Sequence, residues 1–284
     1  MQLNKRALAV AVLLLLAGAV SSAYGETLKS KPKVGVATAP VIDFRHSPSI
    51  GVKRRRGTLW SKVGVLRVAR NNSIQQGTAF LVGRCLAITA AHTAVAGNAA
   101  GSVSTVHLFF GQKLKLEADG VPLAWGSYFR RRSRKANGDW AVLRVKPCLG
   151  DKLGYLQLEP LQKPKAILLG SRLKLAGHPS ARSDRYLTVS SNCRIIRASD
   201  RRLGGWLNDC SLRKGGSGGP ILWGRRVIAV ATAETASING RLRAKASRRF
   251  ANIAVPVRDI LNRLKQFHPA IHAELSGDQR RLSR

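Results

Sequence analysis

Acidic residues are scarce in this chain of 284 residues, which has 14 aspartates and glutamates against 49 lysines and arginines and a formal net charge of +35. A charge excess of this size attracts polyanions such as nucleic acid, lipopolysaccharide or acidic proteins. Aromatic residues are also few, at 6% of the chain, and they do not alternate with the arginines as stacking platforms for single strands do. The composition therefore predicts polyanion binding without identifying nucleic acid as the biological target.

Long apolar runs are nearly absent as well. The one such run covers residues 7–20, follows two basic residues, and is shorter than the roughly 20 residues that a membrane span needs. Small residues at Ala23 and Gly25 then mark a cleavage point. We therefore predict that residues 1–25 are a signal peptide, with an uncleaved anchor as the alternative. The protein is expected to be secreted or periplasmic, with no stable membrane span.

Cysteine occurs four times, and the sequence has neither a Cys-x-x-Cys spacing nor a cluster of cysteine with histidine. These are the ligand patterns of zinc sites, so we expect no metal and no cofactor. An even number of cysteines in an exported protein predicts two disulfides, with three possible pairings. The four residues are Cys85, Cys148, Cys193 and Cys210.

Residues 26–56 are polar, contain proline and lysine, and end in a basic run at 53–56. They have neither helical nor strand periodicity, so we predict a flexible leader or propeptide. The basic run is either a processing site or a solvated charge cluster, and the sequence leaves both interpretations open.

After residue 56, short apolar runs alternate with turn signals at intervals typical of β-barrels and β-sandwiches. Residues 257–267 carry apolar side chains at helical spacing, which predicts a C-terminal helix. The polar residues that follow are expected to form a loose tail.

The most distinctive stretch covers residues 214–220, in which Ser217 lies between pairs of glycines. Glycine permits tight turns and positive φ, so the serine hydroxyl and several backbone N–H groups can face one point. A nucleophile beside N–H donors is what acyl transfer requires, although glycine and serine also form ordinary turns.

Two further residues fit the same chemistry. His92 follows an apolar strand within a run of small residues, and Asp139 opens another apolar strand. A histidine can act as the base for a serine, and a carboxylate at the head of a buried strand needs a donor such as an imidazole N–H. Taken singly, each is more typical of a core histidine or a turn aspartate.

Taken together, these residues resemble the chymotrypsin-like (trypsin-fold) serine peptidases, in which the catalytic residues occur in the order His, Asp, Ser. The resemblance covers roughly residues 57–265. The matching segments are 77–81, 88–92, 139–143, 209–210, 215–220 and 252–256.

The resemblance implies an all-β fold of two six-stranded antiparallel β-barrels with a C-terminal helix. The first barrel would contain the histidine and the aspartate, and the second would contain the serine. The expected boundaries are 57–155 for the first barrel, 156–256 for the second, 257–268 for the helix and 269–284 for a polar tail.

By this resemblance Ser217 is the nucleophile, His92 the general base and Asp139 the residue that orients the histidine. The N–H groups of Gly215 and Ser217 would form the oxyanion hole. These roles make a polypeptide the expected substrate.

The resemblance also implies one disulfide within each half, Cys85–Cys148 and Cys193–Cys210. The substrate pocket would be formed by residues of the second barrel that flank the serine loop. They are Ser211, Leu212, Ala231, Thr232 and Glu234.

The sequence departs from the family at two places. Gly216 precedes the serine, where animal digestive members have an aspartate that pairs with a freed N-terminus, so activation by that ion pair is not implied. The chain is more similar to the bacterial glutamyl endopeptidases, but residues 227–233 lack the histidine usual in that branch. Glutamate specificity is therefore not implied, and Glu234 could attract a basic substrate side chain if it points inward.

Two hypotheses follow. The first is a secreted serine endopeptidase that hydrolyses peptide bonds through an acyl-enzyme. The second is a catalytically silent, strongly basic protein on the same fold that binds polyanions through its charge. The presence of all three catalytic residue types favours the enzyme, because loss of any one removes most of the rate.

Overall fold

The computed structural model describes residues 49–52, 57–70, 73–95, 106–111, 115–126, 138–162, 171–180, 187–197, 204–234 and 252–282. The predicted signal peptide, the basic run at 53–56 and most of the predicted leader lie outside these residues. No helix in the described ranges is both long and apolar enough to cross a bilayer.

Six strands of the first half close into a barrel in the order β2-β3-β4-β7-β6-β5. Their bounds are β2 (Val63–Arg70), β3 (Ser73–Leu81), β4 (Leu86–Thr89), β5 (Val106–Phe110), β6 (Leu116–Trp125) and β7 (Ala141–Lys146). Buried and solvent-facing residues alternate along β6, because successive side chains of a strand point to opposite faces. The inward faces meet in a core that includes Leu66, Leu108, Phe110 and Leu143.

The second half is one nine-stranded sheet. Its strands are β1 (Ser49–Val52), β8 (Gln157–Leu158), β9 (Leu173–Gly177), β10 (Leu187–Cys193), β11 (Ile195–Arg197), β12 (Trp206–Asn208), β13 (Pro220–Trp223), β14 (Arg226–Glu234) and β15 (Asn252–Pro256). The main path runs β10-β9-β13-β14-β15-β12-β11. Because only Arg194 separates β10 from β11, the two ends of this path meet and the sheet curls into a half-barrel.

The all-β double-barrel prediction is confirmed, with two differences in the second half. This sheet does not close through hydrogen bonds among the described residues, and it has strands beyond the expected six. One of them, β1, comes from the predicted leader and pairs antiparallel with β10. Residues 49–52 are therefore part of the sheet and not of a flexible segment. Four residues without periodicity give no strand signal in the sequence, because the strand forms only when a partner strand accepts and donates its backbone hydrogen bonds.

The helices in the described part of the chain are short except at the C-terminus. They are a 3₁₀ helix at Leu59–Lys62, α1 (Ala91–Ala94), α2 (Gly150–Leu153), α3 (Val257–Phe267) and α4 (Pro269–Leu282). The predicted C-terminal helix is α3, whose apolar face buries Val257, Ile260 and Leu264. These three residues join a core that both halves share, with Phe80 from the first barrel and Val230 from the second sheet.

The polar tail predicted after α3 is wrong, because α4 packs on the first barrel. Gln279 Nε2 donates to the carbonyl oxygen of Val82 at 2.6 Å, and Asp278 Oδ2 accepts the N–H of Arg84 at 2.8 Å. These polar side chains bond to backbone groups beyond the ends of the barrel strands. A polar sequence pattern does not distinguish this arrangement from a solvated tail.

Both disulfides that the resemblance implied are formed in the structure. Cys85–Cys148 connects the turn before β4 to the segment after the neighbouring strand β7. Cys193–Cys210 connects the end of β10 to the segment after β12. Each bridge therefore lies within one half of the molecule.

Candidate active site

His92 and Asp139 lie side by side because their strands are paired. β4 leads into α1, which carries His92, and Asp139 lies two residues before the start of β7. Thr89 of β4 is paired with Ala141 of β7 in an antiparallel register, so both residues emerge at the same end of the barrel. The topology therefore brings together two residues that are 47 positions apart in the chain.

The Asp139 carboxylate holds both the backbone and the ring of His92. Its Oδ1 accepts the His92 backbone N–H at 2.9 Å, and its Oδ2 lies 2.7 Å from the ring Nδ1. The aspartate side chain is only 5% exposed, whereas the histidine side chain is 25% exposed. A buried carboxylate that bonds to Nδ1 fixes the orientation of the ring, so that Nε2 faces away from the carboxylate.

A second pair of this kind, His107 Nδ1 with Asp119 Oδ1 at 3.1 Å, joins β5 to β6 on the barrel surface. Its side chains are 60% and 61% exposed, and exposed ion pairs are weak. The burial of Asp139 is therefore what distinguishes the first pair.

The serine loop consists of two consecutive turns. The N–H of Gly216 donates to the Arg213 carbonyl at 2.7 Å, and the N–H of Gly219 donates to the Gly216 carbonyl at 3.0 Å. The third residue of each turn is a glycine with positive φ, Gly215 at 92° and Gly218 at 88°, as type II turns require. The positive φ of these turn positions therefore explains why glycines recur around the serine. Ser217 occupies the second position of the second turn.

The backbone donors of this loop separate into two groups. The N–H groups of Gly216, Gly218 and Gly219 donate to the carbonyls of Arg213, Ala231 and Gly216. Within the described part of the chain, the N–H groups of Gly215 and Ser217 have no acceptor. These two are the donors that the resemblance assigns to the oxyanion hole.

Thr78 of β3 connects the serine loop to the first barrel. Its N–H donates to the Ser217 carbonyl at 2.8 Å, and its hydroxyl donates to the Gly215 carbonyl at 2.9 Å. The same hydroxyl accepts the N–H of His178 at 2.9 Å. This fully buried residue of the first barrel therefore bonds to the serine loop twice, through its backbone N–H and through its hydroxyl, and the hydroxyl also bonds to the segment that follows β9.

The serine loop also packs against the strand that leads to the histidine. The Thr89 hydroxyl donates to the Thr78 carbonyl at 2.7 Å, and Thr89 is three residues before His92. A Cβ atom on Gly218 would collide with Thr78 O and Thr89 Oγ1. The absence of a side chain at Gly218 therefore allows the loop to approach the end of β4.

Sequence reasoning did not identify Thr78 as part of the site. Its segment, residues 77–81, matches the family, but that match assigns no role to the threonine hydroxyl. The available signal is a polar residue at a position that alternation predicts to be buried, since buried hydroxyls nearly always have partners. The same signal applies to Thr89 and Thr93, whose hydroxyls lie 3.1 Å apart and are buried.

We predict that Thr78→Val, which keeps the shape and removes the hydroxyl, lowers the free energy of unfolding by about 1–3 kcal/mol, because the His178 N–H and the Gly215 carbonyl lose their partner. Thr78→Ser, which keeps the hydroxyl, is the matched control and should lose less. Chemical denaturation of both variants measures the difference. Equal losses would contradict a role for the hydroxyl.

The segment before the serine loop is held by two buried amides. The Asn208 Oδ1 accepts the N–H of Cys210 at 3.2 Å, and Asn252 Nδ2 donates to the Cys210 carbonyl. The disulfide to Cys193 anchors the same residue through its side chain. The loop therefore begins from a rigid base, which the sequence pattern did not reveal.

The predicted pocket residues lie on the segment before the serine loop and on the end of β14. Thr232 is fully buried and its hydroxyl donates to the Ile253 carbonyl at 3.2 Å. Ala231 accepts the N–H of Gly218 at 2.7 Å. Ser211 is partly exposed and Leu212 is buried. The side chain of Glu234 lies outside the described part of the chain, so its contact with a basic substrate stays a prediction.

Solved structures with a similar architecture include proteases and an inactivated protease paralogue. The chain is similar to a Glu endopeptidase, with 14% identity, a TM-score of 0.57 and coverage of 75% of this chain and 93% of that one. It is similar to a scabies mite inactivated protease paralogue, with 12% identity, a TM-score of 0.55 and coverage of 76% and 98%. A thermostable serine protease from an extremophilic microorganism gives 13% identity, a TM-score of 0.54 and coverage of 69% and 91%.

No protein-family model matches the sequence, and no curated protein matches it. At these identities the structural similarity shows the fold alone. The chain therefore has the chymotrypsin-like double-barrel fold of serine proteases.

Proposed function

We propose that this chain is a serine endopeptidase in which Ser217, His92 and Asp139 are the catalytic residues. The observation that carries the proposal is the buried Asp139 carboxylate on His92 Nδ1 at 2.7 Å, at the end of the barrel against which the serine loop packs. A histidine oriented by a buried carboxylate and a serine in a turn with unused N–H donors are the groups that acyl transfer needs.

In the proposed reaction, Ser217 Oγ attacks the carbonyl carbon of the scissile peptide bond while His92 Nε2 takes the hydroxyl proton. The N–H groups of Gly215 and Ser217 bind the oxygen that becomes negative. His92 then gives the proton to the leaving amine, and the C–N bond breaks to leave an acyl-serine. A water molecule, deprotonated by His92, attacks the acyl carbon, and the proton returns to Ser217 as the acid leaves.

A fluorophosphonate probe tests this proposal, because it reacts with activated serines. The protein is purified after export with its disulfides formed, labelled, digested and analysed by mass spectrometry. The adduct is expected on the peptide that contains Ser217, and heat-denatured protein should not be labelled. A native protein without an adduct on Ser217 would overturn the proposal.

Secretion and processing form part of the same proposal. The predicted signal sequence and the two disulfides support export, since disulfides persist in oxidising compartments. N-terminal sequencing of the exported protein decides the fate of the leader. A start at Glu26 would contradict cleavage near Arg56, whereas a start after the basic run would support a propeptide.

A second candidate function is polyanion binding, which the net charge of +35 favours. Lys62 and Arg225 are one pair of basic groups that interact. Burial lowers the pKa of Lys62, and the positive charge of Arg225 lowers it further. Such pairing of like charges is stabilised by a bound anion.

Polyanion binding should depend strongly on salt. Each phosphate or sulfate contact releases counterions, so the affinity for heparin or DNA is expected to fall about 10³-fold or more between 50 and 200 mM salt if six or more contacts form. Fluorescence anisotropy at several salt concentrations measures the slope. A flat plot of log K against log salt would exclude a charge-driven partner.

A further inference from the structure

Two cations immediately precede the proposed oxyanion donors in the chain. Arg213 and Lys214 are both exposed, and Lys214 is the residue directly before Gly215. Any group that binds the Gly215 N–H must therefore approach the base of the Lys214 side chain. The pair has no place in the catalytic steps described above.

The backbone beneath these side chains is fixed on both sides. The Arg213 carbonyl accepts the N–H of Gly216 at 2.7 Å. The Lys214 carbonyl accepts the N–H and the hydroxyl of Ser180 at 2.8 and 3.2 Å. Because Lys214 occupies the second position of a hydrogen-bonded turn, its exposed side chain begins at a fixed point of the backbone.

The charges of both side chains are available to a ligand. None of the ion pairs among the described residues involves Arg213 or Lys214. Other surface arginines do have carboxylate partners, such as Arg226 with Glu159 at 2.6 Å. In a chain with few acidic residues, the carboxylates that complement this pair can be supplied by the substrate.

We propose that Arg213 and Lys214 select polypeptides with an acidic side chain close to the scissile bond. This inference rests on the proposed endopeptidase function and names its substrate class. A lysine side chain reaches about 6 Å, and an extended substrate advances about 3.3 Å per residue. The selected aspartate or glutamate therefore lies within about two residues of the cleaved bond.

The expected preference for acidic peptides follows from the free energy that exposed ion pairs contribute. Each contributes roughly 0.2–1 kcal/mol, which corresponds to about 1.4- to 5-fold in kcat/KM. Two cations acting on one carboxylate should give a preference of about 5- to 10-fold at low salt. Screening should reduce this preference at 0.5 M sodium chloride.

The test uses the exported protein and pairs of internally quenched peptides. The best-cleaved peptide of an uncharged library serves as the scaffold, and single residues within two positions of its cleaved bond are replaced by Asp or by Asn. The wild type is expected to prefer one of the Asp peptides over its Asn partner by about 5- to 10-fold. Lys214→Met should lower the ratio to about 2 to 3, and the double variant with Arg213→Met to about 1.

Lys152→Met is the matched control, since it removes the same charge at an exposed position of α2. The neighbouring Gly150 bonds to the Arg84 carbonyl, which lies at the other end of β4 from His92. This variant should keep the wild-type ratio. Lys152→Met should also cleave the uncharged scaffold at the wild-type rate, whereas the variants of Arg213 and Lys214 are compared by their ratio of Asp to Asn cleavage.

The outcomes separate the two proposals. Equal cleavage of Asp and Asn peptides by a wild type that labels on Ser217 would overturn the selection of acidic substrates and leave the peptidase intact. A preference that persists in the double variant, or that Lys152→Met abolishes equally, would also overturn it. A wild type that neither labels nor cleaves would overturn both.

Discussion

Ser217→Ala is expected to lower kcat/KM for peptide hydrolysis by about 10⁶-fold, because the hydroxyl that forms the acyl-enzyme is missing. Without the serine, the other two proposed catalytic residues, His92 and Asp139, contribute little to the rate. The change removes one oxygen atom from a loop whose turns depend on backbone bonds and glycines. The fold and the unfolding temperature should therefore stay as in the wild type. Steady-state kinetics on the uncharged peptide measure the loss.

Ser276→Ala controls for nonspecific effects of a serine substitution. Ser276 lies in α4, which packs on the first barrel at the end away from the serine loop. Activity and fluorophosphonate labelling should be unchanged in this variant. A Ser217→Ala protein that retains more than about one hundredth of the activity would show that another residue is the nucleophile.

Asp139→Asn is expected to lower kcat by about 10⁴-fold with little change in KM. The asparagine can still accept the His92 backbone N–H with its oxygen, but its NH₂ group then faces Nδ1. This arrangement favours the tautomer with the proton on Nε2, which cannot take the proton of Ser217. The substrate contacts are unaffected, so the loss should appear in kcat.

Asp119→Asn is the matched control for this substitution, because Asp119 also lies against a histidine Nδ1 in the same barrel. That pair is exposed and should contribute nothing to the reaction. Its variant should keep the wild-type kcat. A similar loss in both variants, or a loss below about tenfold for Asp139→Asn, would contradict an orienting role for the buried carboxylate.

Short apolar strands separated by turn residues predicted a barrel or a sandwich, and the resemblance to the serine peptidases specified two barrels. Helix α3 was predicted because its apolar positions recur at helical spacing. Helix α4 was not, because its fold depends on polar side chains such as Gln279 that bond to barrel backbone groups. Strand β1 was missed because a short edge strand is defined by its partner, β10.

The candidate site was likewise predicted from the sequence only in part. The residue types of the proposed catalytic group and the glycine spacing of the loop were visible in the sequence, since chemistry and positive φ restrict the residues allowed. The hydroxyl of Thr78 and the amides of Asn208 and Asn252 were not recognised. Their partners are backbone groups far away in the chain, and no local pattern encodes such contacts.

By itself, therefore, the sequence determined the chemistry available to this protein: a serine between glycines, a histidine, an aspartate and a large excess of positive charge. Only the tertiary structure decided which of these groups meet. The pairing of β4 with β7 brings His92 onto Asp139, and Thr78 connects the serine loop to the same barrel. The physical reason is that long-range strand register and buried hydrogen bonds, not local propensity, determine distances between residues of different strands.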